Sequence, residues 1–215
     1  GVVVGGHAAH LTRQIFGQLW LWLAVHKNGE VILPSSKLPV IHDAVLRKFD
    51  LLDGVKDGLL ENPTRCDFDP KVLACKSGDS PACLTPPQVD AVRKIYDGPR
   101  NPRTGERVWS PLFRGSELDW SFFIDSAAPI GIATSAIRDA VLKDPSWDYK
   151  TSGIDFDRHV ALADQSDLAR VNASSADISA YVKQGGRLIL SGGWNNALVP
   201  AGAVVDYFGR VQDRK

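Results

Sequence analysis

The chain has no methionine, only 3 cysteines in 215 residues, and no surplus of charge, because 25 lysines and arginines balance 25 aspartates and glutamates. A neutral balance excludes the dense basic face that nucleic acid or an anionic membrane selects, so neither is expected as a partner. The longest apolar run, Leu19 to Val25, is far too short to span a bilayer. No Gly-x-Ser-x-Gly elbow occurs, so no activated serine is recognisable, and Walker and dinucleotide-binding loops are absent too. No signal peptide is visible. The chain opens on Gly1-Val2-Val3-Val4, strand-like in character, as a processed product or a fragment would, so the missing leader says nothing about compartment.

What is present is enough apolar material, 44% of residues, for one sizeable core or a core with a smaller insertion. Val2-Val3-Val4 before Gly5-Gly6 predicts a short strand of a buried parallel sheet. Leu11 to His26 predicts a helix, amphipathic through Leu11, Ile15 and Leu19 and then apolar all round, which requires burial. That helix is expected to need further sheet strands to cover it, leaving apolar surface exposed and aggregation-prone in the isolated chain. Ser35-Ser36 is placed to cap a second helix, Leu38 to Phe49. Residues 62–170 are richer in proline and turns, with one clear helix start at Thr85-Pro86-Pro87-Gln88, a capping box. Trp109, Leu112 and Phe113 are expected anchors of the loop from Arg100 to Glu117. Trp120, Phe122, Phe123 and Trp147 add an aromatic load whose default role is core packing. Regularity returns with a helix over Ile178–Gln184, a strand over Arg187–Ser191 and a last helix from Pro200 to Phe208. The ends are therefore α/β in style around an irregular middle.

Two loops fall at carboxyl ends of strands, where open α/β sheets place functional groups: Gly5 to His10 and Gly192 to Asn196. His7 and His10 are close enough to share a metal, but the pattern offers no third ligand, and capping or core roles are the default. Asn172-Ala173-Ser174 matches a glycosylation acceptor, a short pattern that also arises by chance. Cys75 and Cys83 bracket a polar loop of the kind a local disulfide closes, which leaves Cys66 without an obvious partner and favours an extracytoplasmic setting.

The segment Asp50-Leu51-Leu52-Asp53-Gly54-Val55-Lys56-Asp57-Gly58-Leu59-Leu60 carries three carboxylates with two glycines between them. Hard oxygen donors in a loop that glycines allow to turn inward suit Ca²⁺. The spacing is not that of an EF-hand, because Val55 stands where the invariant glycine belongs, and the match of Glu61 to the last EF-hand position is coincidental. A solvated pair of Asp-Gly turns fits the same spacing, so on these residues alone both readings stay open.

With its neighbours, this loop resembles the tannase and feruloyl esterase family, secreted α/β-hydrolases that include a hydrolase of mono(2-hydroxyethyl) terephthalate. The resemblance runs along nearly the whole chain. Val3 to Thr12 is similar to the strand and loop after the nucleophile helix, with Gly5-Gly6-His7-Ala8 where the family has Gly-Ala-Pro-Ala. Cys75 to Gln88 resembles a local disulfide and the helix after it. Ile95-Tyr96-Asp97-Gly98, Pro102-Arg103-Thr104-Gly105, Gly115-Ser116-Glu117 and Gly185 to Pro200 follow in the family's order.

The resemblance implies a partial α/β-hydrolase core with a large irregular calcium-binding lid insertion: residues 1–36 as core, 37–170 as lid, 171–215 as core carrying the triad-acid loop. It implies a structural Ca²⁺ held by side chains of Asp50, Asp53 and Asp57 and carbonyls of Val55 and Leu59, a disulfide between Cys75 and Cys83, and secretion or a periplasmic location. The substrate class is a small ester of an aromatic acid, feruloyl, galloyl or related. In the family the nucleophilic serine precedes the equivalent of Gly1 and the histidine follows the equivalent of Lys215, so the isolated chain is expected to be inactive. Asn196 occupies the position of the triad aspartate, and Phe49 replaces a cysteine that would otherwise pair with Cys66. The competing expectation is a non-catalytic relative that keeps the calcium-stabilised lid as a binding surface.

Overall fold

A computed structural model describes residues 1–214. Val2–Gly5 (β1) leads through a loop into a 15-residue helix, Leu11–Val25 (α1). A hairpin of His26–Lys27 (β2) and Glu30–Val31 (β3) follows, turning on Asn28 and Gly29, both with φ > 0 as a tight hairpin of this twist requires. Leu38–Phe49 forms α2 and Pro86–Asp97 forms α3, separated by irregular chain with short 3₁₀ turns. Ser121–Ile124 (α4), Gly131–Ser135 (α5) and Arg158–Gln165 (α6) complete the middle. After α5 the chain continues as a π-helical stretch, Ala136–Leu142, before α6. Ser179–Lys183 (α7), Leu188–Ser191 (β4) and Ala201–Gln212 (α8) close the chain.

Strand β1 pairs in parallel with β4, Val2 opposite Leu188 and Gly5 opposite Ser191. Parallel pairing puts the loops that follow the two strands at the same edge. The strand is less buried than its composition predicts: Val2, Val3 and Ile189 are exposed, and only α8 and neighbouring loops cover one face.

Helix α1 departs from expectation in what covers it. No further strands are needed, because the middle of the chain wraps it. Its first half (Ile15, Phe16, Leu19) packs with Ala133, Ile137, Trp147, Phe156 and Val160, and its second half (Leu21, Ala24, Val25) with α2, α3 and α4. Gly17 makes this possible: a Cβ there would lie 2.2 Å from Trp109, so the indole seats directly on the helix backbone. The first turn of α1 is capped from far along the chain. Asn172 Oδ1 accepts from Thr12 N at 3.1 Å, and Asn172 Nδ2 donates to Thr12 Oγ1 at 2.9 Å. That amide is thus in structural use, which argues against the glycosylation pattern at the same residue.

Helix α2 begins after a 3₁₀ turn at Ser35–Lys37, and the expected serine cap is not made; Lys37 holds the cap position and Pro39 the first turn. Lys37 is itself buried, its Nζ donating to Asp79 Oδ1 at 2.6 Å and to Cys83 O at 2.8 Å, which ties α2 to the loop closed by the Cys75–Cys83 disulfide. Cys66 is a buried free thiol, and burial pushes its pKa up. The capping box of α3 forms as predicted, with Thr85 N donating to Gln88 Oε1 at 2.9 Å. The last helix runs four residues beyond the expected end at Phe208. No helix among the described residues is long and apolar enough to cross a membrane.

Candidate active-site edge and acidic loop

The two loops at the carboxyl ends of β1 and β4 come together. Gly6 donates its N–H to Ser191 O at 2.8 Å with φ +60, and a Cβ at Gly6 would lie 3.9 Å from Asn196 Nδ2. Asn196 is exposed and its orientation is fixed: Oδ1 accepts from Leu198 N at 3.0 Å and Val199 N at 2.9 Å. With the oxygen engaged by backbone, the amide presents its NH₂ as the free group at this edge. Helix α1 supports the loop from beneath, where the buried Gln14 donates from Nε2 to Leu198 O at 3.0 Å. The middle segment reaches the same loop through Phe113, whose ring meets Trp194 edge-on with centroids 5.0 Å apart.

His7 and His10 lie on the first loop but do not gather with a third ligand. His7 packs edge-on against Tyr207 at 4.7 Å, its Nδ1 is buried without a partner, and burial lowers its pKa. His10 Nε2 stands 3.9 Å from Asp164 Oδ1; burial and the nearby Arg13 together lower its pKa despite that carboxylate. A cavity of about 660 Å³ opens beside them, lined among others by Arg13, Arg107, Trp109 and Arg210.

Of the aromatic residues singled out from sequence, Trp109, Trp120, Phe123 and Trp147 are buried, in keeping with core packing, whereas Phe122 is 56% exposed. Phe122 lines a groove of about 340 Å³ together with Asp119, Asn195, Asn196, Ala197 and Leu198. Sequence reading missed the contacts that join middle to edge, Gln14 to Leu198 and Phe113 to Trp194. The one available signal was a glutamine beside Ile15 and Phe16, where the helix turns to its apolar run.

In the acidic loop each carboxylate takes a nearby backbone N–H. Asp50, buried at the end of α2, accepts from Gly58 at 2.9 Å, Asp53 from Val55 at 2.8 Å and Asp57 from Leu59 at 3.1 Å. Gly54 (φ +92) and Gly58 (φ +79) supply the left-handed turns between them. The donor chemistry suits a hard cation, and Asp50 and Asp57 flank one tight loop. Among the described residues, however, no three His, Cys, Asp or Glu side chains are gathered closely enough to hold a metal ion. Asp53 and Asp57 each close an Asx turn, and Asp50 ties the loop together across eight residues.

The family model described as tannase and feruloyl esterase matches residues 1–215. The chain belongs to that family. An uncharacterized esterase of Xanthomonas campestris pv. campestris is 31% identical over 230 residues, covering 100% of this chain and 40% of the relative. A probable feruloyl esterase B-1 of Aspergillus oryzae is 26% identical, covering 99% of this chain and 39% of the relative. The crystal structure of feruloyl esterase B from Aspergillus oryzae superposes with TM-score 0.87 at 26% identity, over 100% of this chain and 42% of that one. Tannin acyl hydrolase from Aspergillus niger shares the fold, with TM-score 0.77 at 17% identity, over 99% of this chain and 42% of that one. The chain thus spans about two fifths of the length of the relatives it matches, and its neighbours place it with the α/β-hydrolase type of fold.

Proposed function

We propose that these residues form the lid and part of the core of a serine carboxylic ester hydrolase that acts on esters of aromatic acids, feruloyl, galloyl or related. The observation that carries this reading is the family match along the whole chain, combined with two loops meeting at one sheet edge beneath an aromatic-rich segment. The reaction would be acyl transfer to water: a serine attacks the ester carbonyl, an oxyanion hole holds the tetrahedral charge, and water releases the acyl group. Serine and histidine would come from outside these residues, so the 215-residue chain alone is expected to be inert.

Asn196 would stand where the triad acid belongs. Its Oδ1 is already engaged by Leu198 N and Val199 N, so it would offer N–H to an imidazole instead of accepting from one. An amide in that role favours the wrong histidine tautomer and cannot stabilise the imidazolium. Slow turnover is the consequence for the natural sequence.

The acidic loop would bind a structural Ca²⁺ through Asp50, Asp53 and Asp57 with carbonyls of Val55 and Leu59, the carboxylates turning inward from their present bonds to backbone N–H. The local disulfide supports a secreted or periplasmic setting, since such bonds persist in oxidising compartments. Hydrolysis of methyl ferulate or a gallate ester by the complete gene product, with none by residues 1–215 alone, is the test. No release of aromatic acid by the complete protein, or serine-dependent release by the 215-residue chain, would refute the reading.

A further inference from the structure

A glutamine of α1 and the side chain at position 196 grip the same peptide group. Gln14 Nε2 donates to Leu198 O at 3.0 Å, and the N–H of the next residue, Val199, donates to Asn196 Oδ1 at 2.9 Å. The carbonyl of Leu198 and the N–H of Val199 belong to one planar unit, in which neither can rotate without the other. The two bonds therefore form a chain that runs from α1 through a rigid plane to the side chain at 196. Bonds in such a series polarise and strengthen one another. Leu198 N, donating to the same Oδ1 at 3.0 Å, closes the turn.

Packing does not account for this glutamine. Gln14 is 7% exposed, and its Oε1 is buried with no partner. A backbone carbonyl only accepts, so the bond to Leu198 O fixes which end of the amide faces the turn. Oε1 is left as an unpaired buried acceptor, which is costly, whereas leucine or methionine would fill a similar volume without it. Both sides of the contact are anchored. Asn172 caps the first turn of α1 at Thr12, and Ala197 is buried in the core that includes Leu21, Ala24 and Val25.

We propose that Gln14 is a positioning residue: it sets the orientation of the side chain at position 196 through the Leu198–Val199 peptide, and with it the acid of the catalytic edge. The role of position 196 rests on the ester-hydrolase reading, whereas the hold of Gln14 on the turn is measured separately by hydrogen exchange. The complete gene product is prepared with Gln14→Leu and with Gln14→Met, two apolar replacements, so that one poorly packed variant does not decide the result. Loss of the bond predicts that the Leu198 and Val199 amides exchange about tenfold faster while the amides of α1 and α2 are unchanged. In the Asn196→Asp background the same variants are expected to lower kcat on methyl ferulate by about tenfold or more, with KM within about twofold, because misorientation costs rate and not ground-state binding. The acidic limb of kcat/KM is expected to move to lower pH, since a misdirected carboxylate no longer raises the pKa of the histidine it faces. Unchanged exchange at Leu198 and Val199, or faster exchange along the whole of α1, would overturn the proposal. So would a kcat that is unchanged, or one that falls with no shift of the acidic limb. Absence of turnover in the Asn196→Asp protein would remove the ester-hydrolase reading, and exchange at the two amides would then decide alone whether Gln14 orients residue 196.

Discussion

Tyr96 donates its hydroxyl proton to Glu117 at 2.6 Å, between two residues that are both buried and come from different elements. Burial and the neighbouring Glu117 carboxylate raise the Tyr96 pKa well above that of a free phenol, so the proton stays on tyrosine. Gly115 N and His42 Nδ1 complete the shell of Glu117, and the Arg114 guanidinium lies over the Tyr96 ring at 4.1 Å. Glu117→Ala would leave Tyr96, Gly115 and His42 without this acceptor. The expected loss is about 3 kcal/mol in urea unfolding of the complete gene product, against about 1 kcal/mol for Tyr96→Phe. Equal and small effects from both variants would show that the network contributes little.

His42 makes the same cluster sensitive to pH. Its hydrogen bond to Glu117 raises its pKa above the ordinary 6.5 despite partial burial, and the charges of Glu117, Asp43 and Asp119 act in the same direction. A histidine whose folded-state pKa is raised adds stability that is fully present below 6.5 and is lost as pH rises through the folded value. The urea midpoint is therefore expected to fall across that window in wild type, and the His42 part of that fall to vanish in His42→Gln. A midpoint with identical pH dependence in both proteins would contradict this.

Gly17→Ala reverses an ordinary rule. In a helix interior, alanine is usually favoured over glycine by about 1 kcal/mol. Here the added Cβ would lie 2.2 Å from Trp109 Cδ1 and 2.6 Å from its Cγ, so either the indole or the helix has to move. A destabilisation of about 1–3 kcal/mol is expected, with a change in tryptophan fluorescence. Stabilisation would mean that Trp109 does not seat on α1.

Much of the framework was legible because it is local. The capping box at Thr85 and Gln88 and the Cys75–Cys83 bridge each depend on residues near in sequence, and β1 and β4 were each readable as a strand from its own apolar run, although their pairing joins residues more than 180 positions apart. What covers α1 was not, because an apolar face states that it is buried and not by what. The cap that Asn172 gives Thr12, 160 residues away, and the hold of Gln14 on Leu198 follow from topology alone. Spacing also does not fix rotamers: Asp53 and Asp57 each satisfy a backbone N–H two residues on, where convergence on an ion would need other orientations. For the aromatic residues, sequence predicted core packing as a group, and only the structure separates Phe122 from its buried neighbours.

Calcium binding by the acidic loop has a direct thermodynamic consequence. A site with a dissociation constant of ~10 µM would add roughly 2.7 kcal/mol at millimolar calcium by mass action. Thermal unfolding of the complete gene product is expected to shift upward in calcium relative to EGTA, and to lose that shift in Asp53→Ala and Asp57→Ala. Identical unfolding in calcium and EGTA would leave the loop as a set of Asx turns.

Turnover of methyl ferulate by the complete gene product carrying Asn196→Asp, set beside the natural sequence, tests the catalytic edge most directly. An aspartate there keeps both bonds from Leu198 N and Val199 N and leaves its second oxygen to accept from an imidazole. The expected result is a rise in kcat of several orders of magnitude, toward the ~10⁴-fold that the converse exchange removes in serine proteases. Equal kcat for the two proteins would contradict the assignment of Asn196, and with it the placement of the catalytic edge.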